Sequence, residues 1–305
     1  FLNNSAVITH LQNGTPGELA NLYIQNGLDI DGQGGGVNFR ANPNAGVVDL
    51  ASNFGKYRYN ALQVEVRRRF SSGLYFQANY TFQKTLTDVP EEDQNRFDPY
   101  LDIEDISLEY ARADFDRAHA FNFNGIYELP FGQGKRFMNQ NGWIDKVFGG
   151  FQMTSIVQFV TGAPMSFRDP RGTLNRNARS TRQTAFTNLT RDQLQALVGI
   201  FRTPNGVFFI DPSVIGPNGS ATNGNPQATP SNPAFAGQVL FNVPAGTTST
   251  LQRAFINGPN YLTVDVGLGK RIRFSEKFSL QLRAEAFNVF NRANFRGPTG
   301  ADGNS

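Results

Sequence analysis

From residue 57 onward the chain alternates. Leu62, Val64, Val66 and Phe70 fall on one parity, and Gln63, Glu65, Arg67 and Arg69 on the other. That period of two predicts a strand with one apolar and one wet face. After Ser71-Ser72-Gly73 the alternation resumes, with Leu74, Phe76, Ala78, Tyr80 and Phe82 set against Tyr75, Gln77, Asn79, Thr81 and Gln83. A hairpin of strands 57–70 and 74–85 closed by a short Gly-containing turn follows. The pattern recurs at 118–129 (Phe121, Phe123, Tyr127 and Leu129 against Asn122 and Asn124) and at 150–161, where Phe151, Met153, Val157 and Phe159 oppose Gln152, Thr154 and Gln158. In that strand Ile156 and Val160 fall on the polar side. At 261–273 Leu262, Val264, Val266 and Leu268 alternate with Thr263, Asp265 and Gly267, and at 279–290 Leu280, Leu282, Ala284 and Ala286 alternate with Gln281, Arg283 and Glu285. These strands exceed the five or six residues usual in globular sheets and suit a bilayer crossing.

The connections alternate too. Turns at 71–73 and 274–278 are short, 130–149 is intermediate, and 1–56, 86–117 and 162–260 are very long. The first 56 residues, with Gly32, Gly34, Gly35 and Gly36 close together, show no sustained period and read as a loop. The 162–260 connection far exceeds the ~12 to 15 residues of a compact domain, so it is functional or disordered. Within it Thr190 to Ile200 predicts one short helix, capped by Thr190, with Leu194, Leu197 and Val198 on one face. Short turns at one end and long loops at the other describe an all-β antiparallel transmembrane barrel with extracellular loops. Tyr57, Tyr59, Tyr127 and Tyr261 lie near strand ends, either as an interfacial girdle or as edge aromatics of a soluble sandwich. Six strands are fewer than the eight of the smallest closed barrel. With residues 1–56 outside, the strand directions leave 296–305 as a truncated extracellular loop and call for at least one more strand beyond it.

Composition removes the obvious objection to a membrane location. A mean hydropathy of -0.39 and the lack of any apolar run of roughly 18 residues exclude a spanning helix, but barrel strands average hydrophilic because half their residues face water. The 28 Phe, 31 Gly and 16 Pro favour strands and turns. A net charge of +3, with Lys and Arg dispersed, does not indicate nucleic-acid binding. Without Cys there are no disulfides, thiolate metal sites or Cys nucleophiles. The opening Phe-Leu-Asn-Asn-Ser carries no signal peptide, which suggests processing or truncation.

Candidate chemistry is sparse. Two His residues, with no nucleophile elbow, P-loop or zinc-protease motif, point away from an enzyme and call for no cofactor. His119 reads as a ligand at the loop base or as a hydrogen-bonded residue at a barrel rim. In the acidic 86–117 loop, Asp98, Asp102, Glu104 and Asp105 are candidate oxygen donors to a hard cation. Their spacing is not that of an EF-hand, and the bland reading is solvated charge or pairing with Arg96, Arg112 and Arg117. Glu65, Arg67, Arg69, Asp265, Arg283 and Glu285 are charged positions within strands and must face water or one another. They would contact solute in the lumen or form an ion-pair ladder against a plug, with Asp265 and Glu285 opposite Arg283 as the expected pairs.

Several segments are also similar to a known family. Tyr59-Asn60-Ala61-Leu62-Gln63-Val64, Arg67-Arg68-Arg69-Phe70-Ser71-Ser72-Gly73-Leu74, Asn79-Tyr80-Thr81-Phe82, Asp116-Arg117-Ala118-His119, Gly125-Ile126-Tyr127-Glu128-Leu129-Pro130-Phe131-Gly132, Gly162-Ala163-Pro164 and Arg283-Ala284-Glu285-Ala286-Phe287-Asn288-Val289-Phe290-Asn291 resemble late barrel strands of TonB-dependent receptors of the Oar-like type. These receptors carry a carboxypeptidase-regulatory-like N-terminal domain. The likeness covers 57–295 and implies the last strands of a 22-stranded, plugged outer-membrane barrel. It implies energised uptake of a scarce solute, with outer-membrane lipid and, through the N-terminal region, the TonB complex as partners, and no nucleic acid. Recognition would fall to loops 86–117 and 162–260. A passive porin-like or adhesive barrel and a secreted β-sandwich binding module are the alternatives.

Overall fold

The computed structural model of the chain describes residues 4–26, 53–89, 100–102, 104–139, 142–169, 171, 183–249, 251–274 and 277–297. In chain order the elements are α1 (Ser5–Gln12), α2 (Pro16–Gln25), β1 (Tyr57–Ser71), β2 (Leu74–Thr87), β3 (Ala111–Arg112), β4 (His119–Glu128), α3 (Trp143–Phe148), β5 (Phe151–Val160), β6 (Pro164–Met165), α4 (Arg191–Ala196), β7 (Val198–Thr203), β8 (Gly206–Ile210), β9 (Ile256–Asn257), β10 (Tyr261–Arg273) and β11 (Ser279–Ala286). The six long strands form one antiparallel sheet in the order β1-β2-β4-β5-β10-β11, an up-and-down meander, and β3 extends it beside the far end of β2. β1 and β11 are its two edges, so the wall is an open arc in this structure.

The register turns alternation into faces. Val64, Tyr80, Phe121, Phe159 and Leu262 stand side by side across five strands, and Val66, Ala78, Phe123, Val157 and Val264 form the next row. Between them, on the opposite face, runs Glu65, Asn79, Asn122, Gln158 and Thr263. The alternation of each strand is thus in phase with its neighbours, and one face of the whole sheet is apolar. That face is not a core: Leu62, Val64 and Val66 are 57%, 45% and 52% exposed. The two off-pattern residues of β5 sit on the polar face, where Ile156 lies between Asn124 and Asp265 and Val160 between Ala120 and Tyr261.

Each strand begins within a residue of its expected position. The first hairpin is tighter than expected: a β-bulge between Arg68 and Ser71 precedes a two-residue loop, Ser72-Gly73, with φ of 52° and 78°. Two successive positive φ values match the right-handed twist of the flanking strands. β11 stops at Ala286 instead of continuing to 290. Asn288 and Asn291 adopt left-handed φ of 48° and 47°, and Asn294 caps Leu262 from both sides, accepting from its amide at 3.0 Å and donating to its carbonyl at 3.0 Å. Side-chain amides there replace the ladder.

The buried core lies in the long connections. Ala185, Leu194, Leu240, Phe255 and Ile256 cluster, with Phe167, Leu189, Leu197 and Ile210 packed around them. Burying one such Leu side chain contributes about 1.5 to 3 kcal/mol. The described residues of the 162–260 connection are therefore folded, against the expectation of one long loop with a single helix. Thr190 does cap α4 through a capping box with Gln193, but the helix ends at Ala196 and Val198 opens the β7–β8 hairpin. Residues 5–12 and 16–25, expected to be loop, are helical; Asn4 caps α1 by accepting from the Ala6 and Val7 amides. Residues 298–305 lie outside the described residues.

Candidate functional site: the inner wall and the loop cap

The polar face is mostly amide and hydroxyl, with the charged positions set among them. Glu65 accepts from Gln77 Nε2 at 3.2 Å, and Arg67 stands opposite Gln77. Among the described residues neither Arg67 nor Arg69 forms an ion pair. The expected pairing of Asp265 with Arg283 is corrected by the register: Arg283 stands opposite Gly269 and Glu285 opposite Gly267. Asp265, farther along β10, instead accepts from the Asn288 amide at 2.8 Å and from Thr263 Oγ1 at 3.2 Å. Arg283 meets Glu285 on its own strand at 3.5 Å, with both side chains well exposed, so the pair contributes at most about 1 kcal/mol.

The tyrosine girdle also needs correction. Tyr57, Tyr59 and Tyr261 fall on the polar parity, and Tyr59 donates to Gln83 Oε1 at 3.0 Å. Of these four only Tyr127 shares the apolar face, beside Met153. His119 lies on that face at the loop end, hydrogen-bonded to the Tyr80 hydroxyl at 2.8 Å and 5.1 Å from the Phe82 ring. This is the rim arrangement, with no ligand needed to account for it.

Of the candidate cation donors, Asp98 lies outside the described residues. Asp102 accepts from the Glu104 amide at 2.9 Å and Asp105 from the Ser107 amide at 3.1 Å, each closing a local turn. No group of three potential metal ligands converges among the described residues. The acidic residues that matter most are others. Glu109 and Arg253, each 3% exposed, pair at 3.5 Å; Glu109 accepts from the Leu101 amide at 3.0 Å, and Arg253 donates to the Glu109 carbonyl at 3.1 Å. Asp116, buried, accepts from Arg112 Nε at 2.9 Å and from the Thr85 amide at 2.9 Å, while Arg112 reaches Asn257 Oδ1 at 2.7 Å. Asp169 and Arg171 form a third pin, in which Arg171 donates to the carbonyls of Asn13 and Val243. Pairing of the acidic loop with Arg112 is among the readings of the sequence, and Asp116 meets it four residues away. What sequence reasoning missed are the Glu109–Arg253 pair, 144 residues apart, and the reach of Arg171 to Asn13, 158 residues away.

These pins join the segments at 4–26, 100–117 and 162–260 into one cap at the end of the wall where β2, β5 and β11 finish. A cavity of about 250 Å³ lies between residues 101–110 and 249–253, lined by Leu101, Leu108, Tyr110, Leu251 and Arg253. A larger one, about 470 Å³, opens where cap meets wall, lined by Arg117, Thr161, Met165, Tyr261, Phe295 and Arg296. Within the cap Asp211 holds the turn at Pro212–Val214; hydrogen bonds from the Ser213 amide and then its side chain hold its carboxyl below the ordinary value of 3.8.

A meander with one apolar exposed face, one polar face, and folded loops gathered at one end has the organisation of an antiparallel membrane β-barrel wall. The chain belongs to the outer membrane beta barrel domain family, whose model matches residues 7–305. No curated protein and no solved structure matches it. Membership points to an outer-membrane location.

Proposed function

We propose that this chain is the C-terminal wall and cap of a TonB-dependent receptor that imports a scarce solute, with no enzymatic role. The cap carries the reading. Loops that only bounded an open pore would have no need of three ion pairs on buried carboxylates, whereas a receptor requires loops pre-shaped to hold a solute above the lumen. The amide-rich polar face, interrupted by Glu65, Arg67, Arg69 and Asp265, suits a wall that hydrogen-bonds a plug. The strand motifs shared with Oar-like receptors favour energised over passive passage.

The test uses the full-length protein purified from its own outer membrane. A receptor of this kind is electrically silent in a planar bilayer and binds the periplasmic domain of TonB. Steady conductance without TonB binding would replace this reading with the porin-like one.

A further inference from the structure

The connection between β4 and β5, on the short-turn side, holds an unexplained helix. α3 spans Trp143–Phe148, and at 100° per residue Trp143, Ile144, Val147 and Phe148 occupy one arc while Asp145 and Lys146 occupy the rest. Trp143 is 70% exposed, Val147 48% and Phe148 45%, so the apolar arc points away from the protein. Asp145, half-buried on the other arc, faces the protein, its Oδ1 accepting from the Gln133 amide at 2.6 Å, while Lys146 stays exposed.

Lys270 fixes which side of the wall the helix occupies. Its strand position, beside Phe151 and Leu282, is on the apolar face, two residues beyond Leu268. Its ammonium lies 4.1 Å from the centre of the Phe151 ring and donates to the carbonyls of Val147 at 2.7 Å and Gly149 at 3.0 Å. A cation on a lipid-facing strand is tolerated where its stem lies along apolar surface and its head reaches polar groups at the boundary. Here those groups are the terminal carbonyls of α3, which favour a cation. The end of α3 therefore sits over the same face as Val266 and Leu268, near the level where that face ends.

We propose that α3 is an interfacial anchor: Trp143, Val147 and Phe148 insert at the headgroup and acyl boundary of the leaflet on the short-turn side, held against the wall by Lys270. The occupant is phospholipid because the arc is continuous with the membrane-facing surface and carries the Trp and Phe that favour this boundary.

The full-length protein, folded in phosphatidylcholine vesicles, tests this. The emission lost in Trp143→Phe isolates this indole from any other. Lipids brominated near the ester carbonyls should quench that difference signal about twofold, more than lipids brominated deep in the chains, while aqueous acrylamide leaves it unchanged. Lys270→Met should reverse this order and Lys270→Arg should preserve it, with the folded band in unheated gels retained throughout. Quenching by acrylamide but not by bromine in the wild type would place α3 in water, and protection from both would place it under protein; either overturns the proposal. Unchanged quenching in a folded Lys270→Met variant would overturn the role of Lys270.

Discussion

Replacing Val64 by Arg tests the assignment of faces most directly. Val64 is the midpoint of β1, with residues 57–63 on one side and 65–71 on the other. At ~3.4 Å per residue and a tilt of about 40°, each half covers roughly 18 Å along the barrel axis, which puts Val64 near the centre of an apolar band about 25 Å tall. An Arg at that depth costs about 2 to 4 kcal/mol, roughly a 30-fold to 900-fold shift in the unfolding equilibrium. Val266→Arg, in a strand flanked by Ser155 and Ala286, should behave alike. Gln63→Arg changes the adjacent residue but enters the polar face, opposite Thr81 and on the parity of Arg67 and Arg69, so it should stay within about 0.5 kcal/mol. The assay is guanidinium unfolding of the full-length protein in lipid vesicles, read by the heat-modifiable band on gels. Equal losses at 63 and 64, or a mild effect at 64, would refute the assignment.

The cap and its junctions offer further tests. Arg253→Met leaves the buried Glu109 carboxylate without its cation and should cost about 3 to 5 kcal/mol of cap stability, seen as faster proteolysis of the loops; adding Glu109→Gln should recover most of it. Gly162→Ala puts a Cβ against the backbone carbonyl of Gly258, which cannot move aside without opening the β6–β9 pairing. A loss of about 1 to 3 kcal/mol, with faster exchange of the Gly258 amide, is expected, and wild-type exchange would contradict it. Because the Asp211 carboxyl titrates below its unfolded value of 3.8, its contribution is present above that value and lost as pH falls through the folded one. Amide exchange of Ser213 should therefore show no loss of protection down to about pH 5, and loss at pH 5 would contradict this.

The wall was legible in the sequence because alternation is local: each strand carries its own record of which residues face which way. What alternation cannot carry is register. The Asp265 to Arg283 pairing failed because the hairpin closes with Arg273 opposite Ser279, which puts Asp265 beyond the end of β11, near the Asn288 amide. The girdle failed on a parity that was available but not applied to Tyr57, Tyr59 and Tyr261. In the cap, Thr190 was a readable helix start, but Val198, Ile200 and Phe201 are β-branched or aromatic, and Pro204-Asn205-Gly206 was an available turn signal for the hairpin that ends α4. The long-range pairing left no local trace, since a Glu in a loop looks the same whether it meets water or, like Glu109, an Arg folded in from far along the chain.

The three pins have a consequence for how such a barrel can be changed. The 162–260 segment is not an interchangeable module, because Arg253 finds its counter-charge on Glu109 and Arg171 reaches back to Asn13. Transplanted alone onto another barrel, it would arrive with Arg253 buried and without its carboxylate, and with Arg171 short of the Asn13 carbonyl. The unit that can be moved between barrels is the set of three segments together, and the cavity linings between the pins are what can be altered while the pins stay in place.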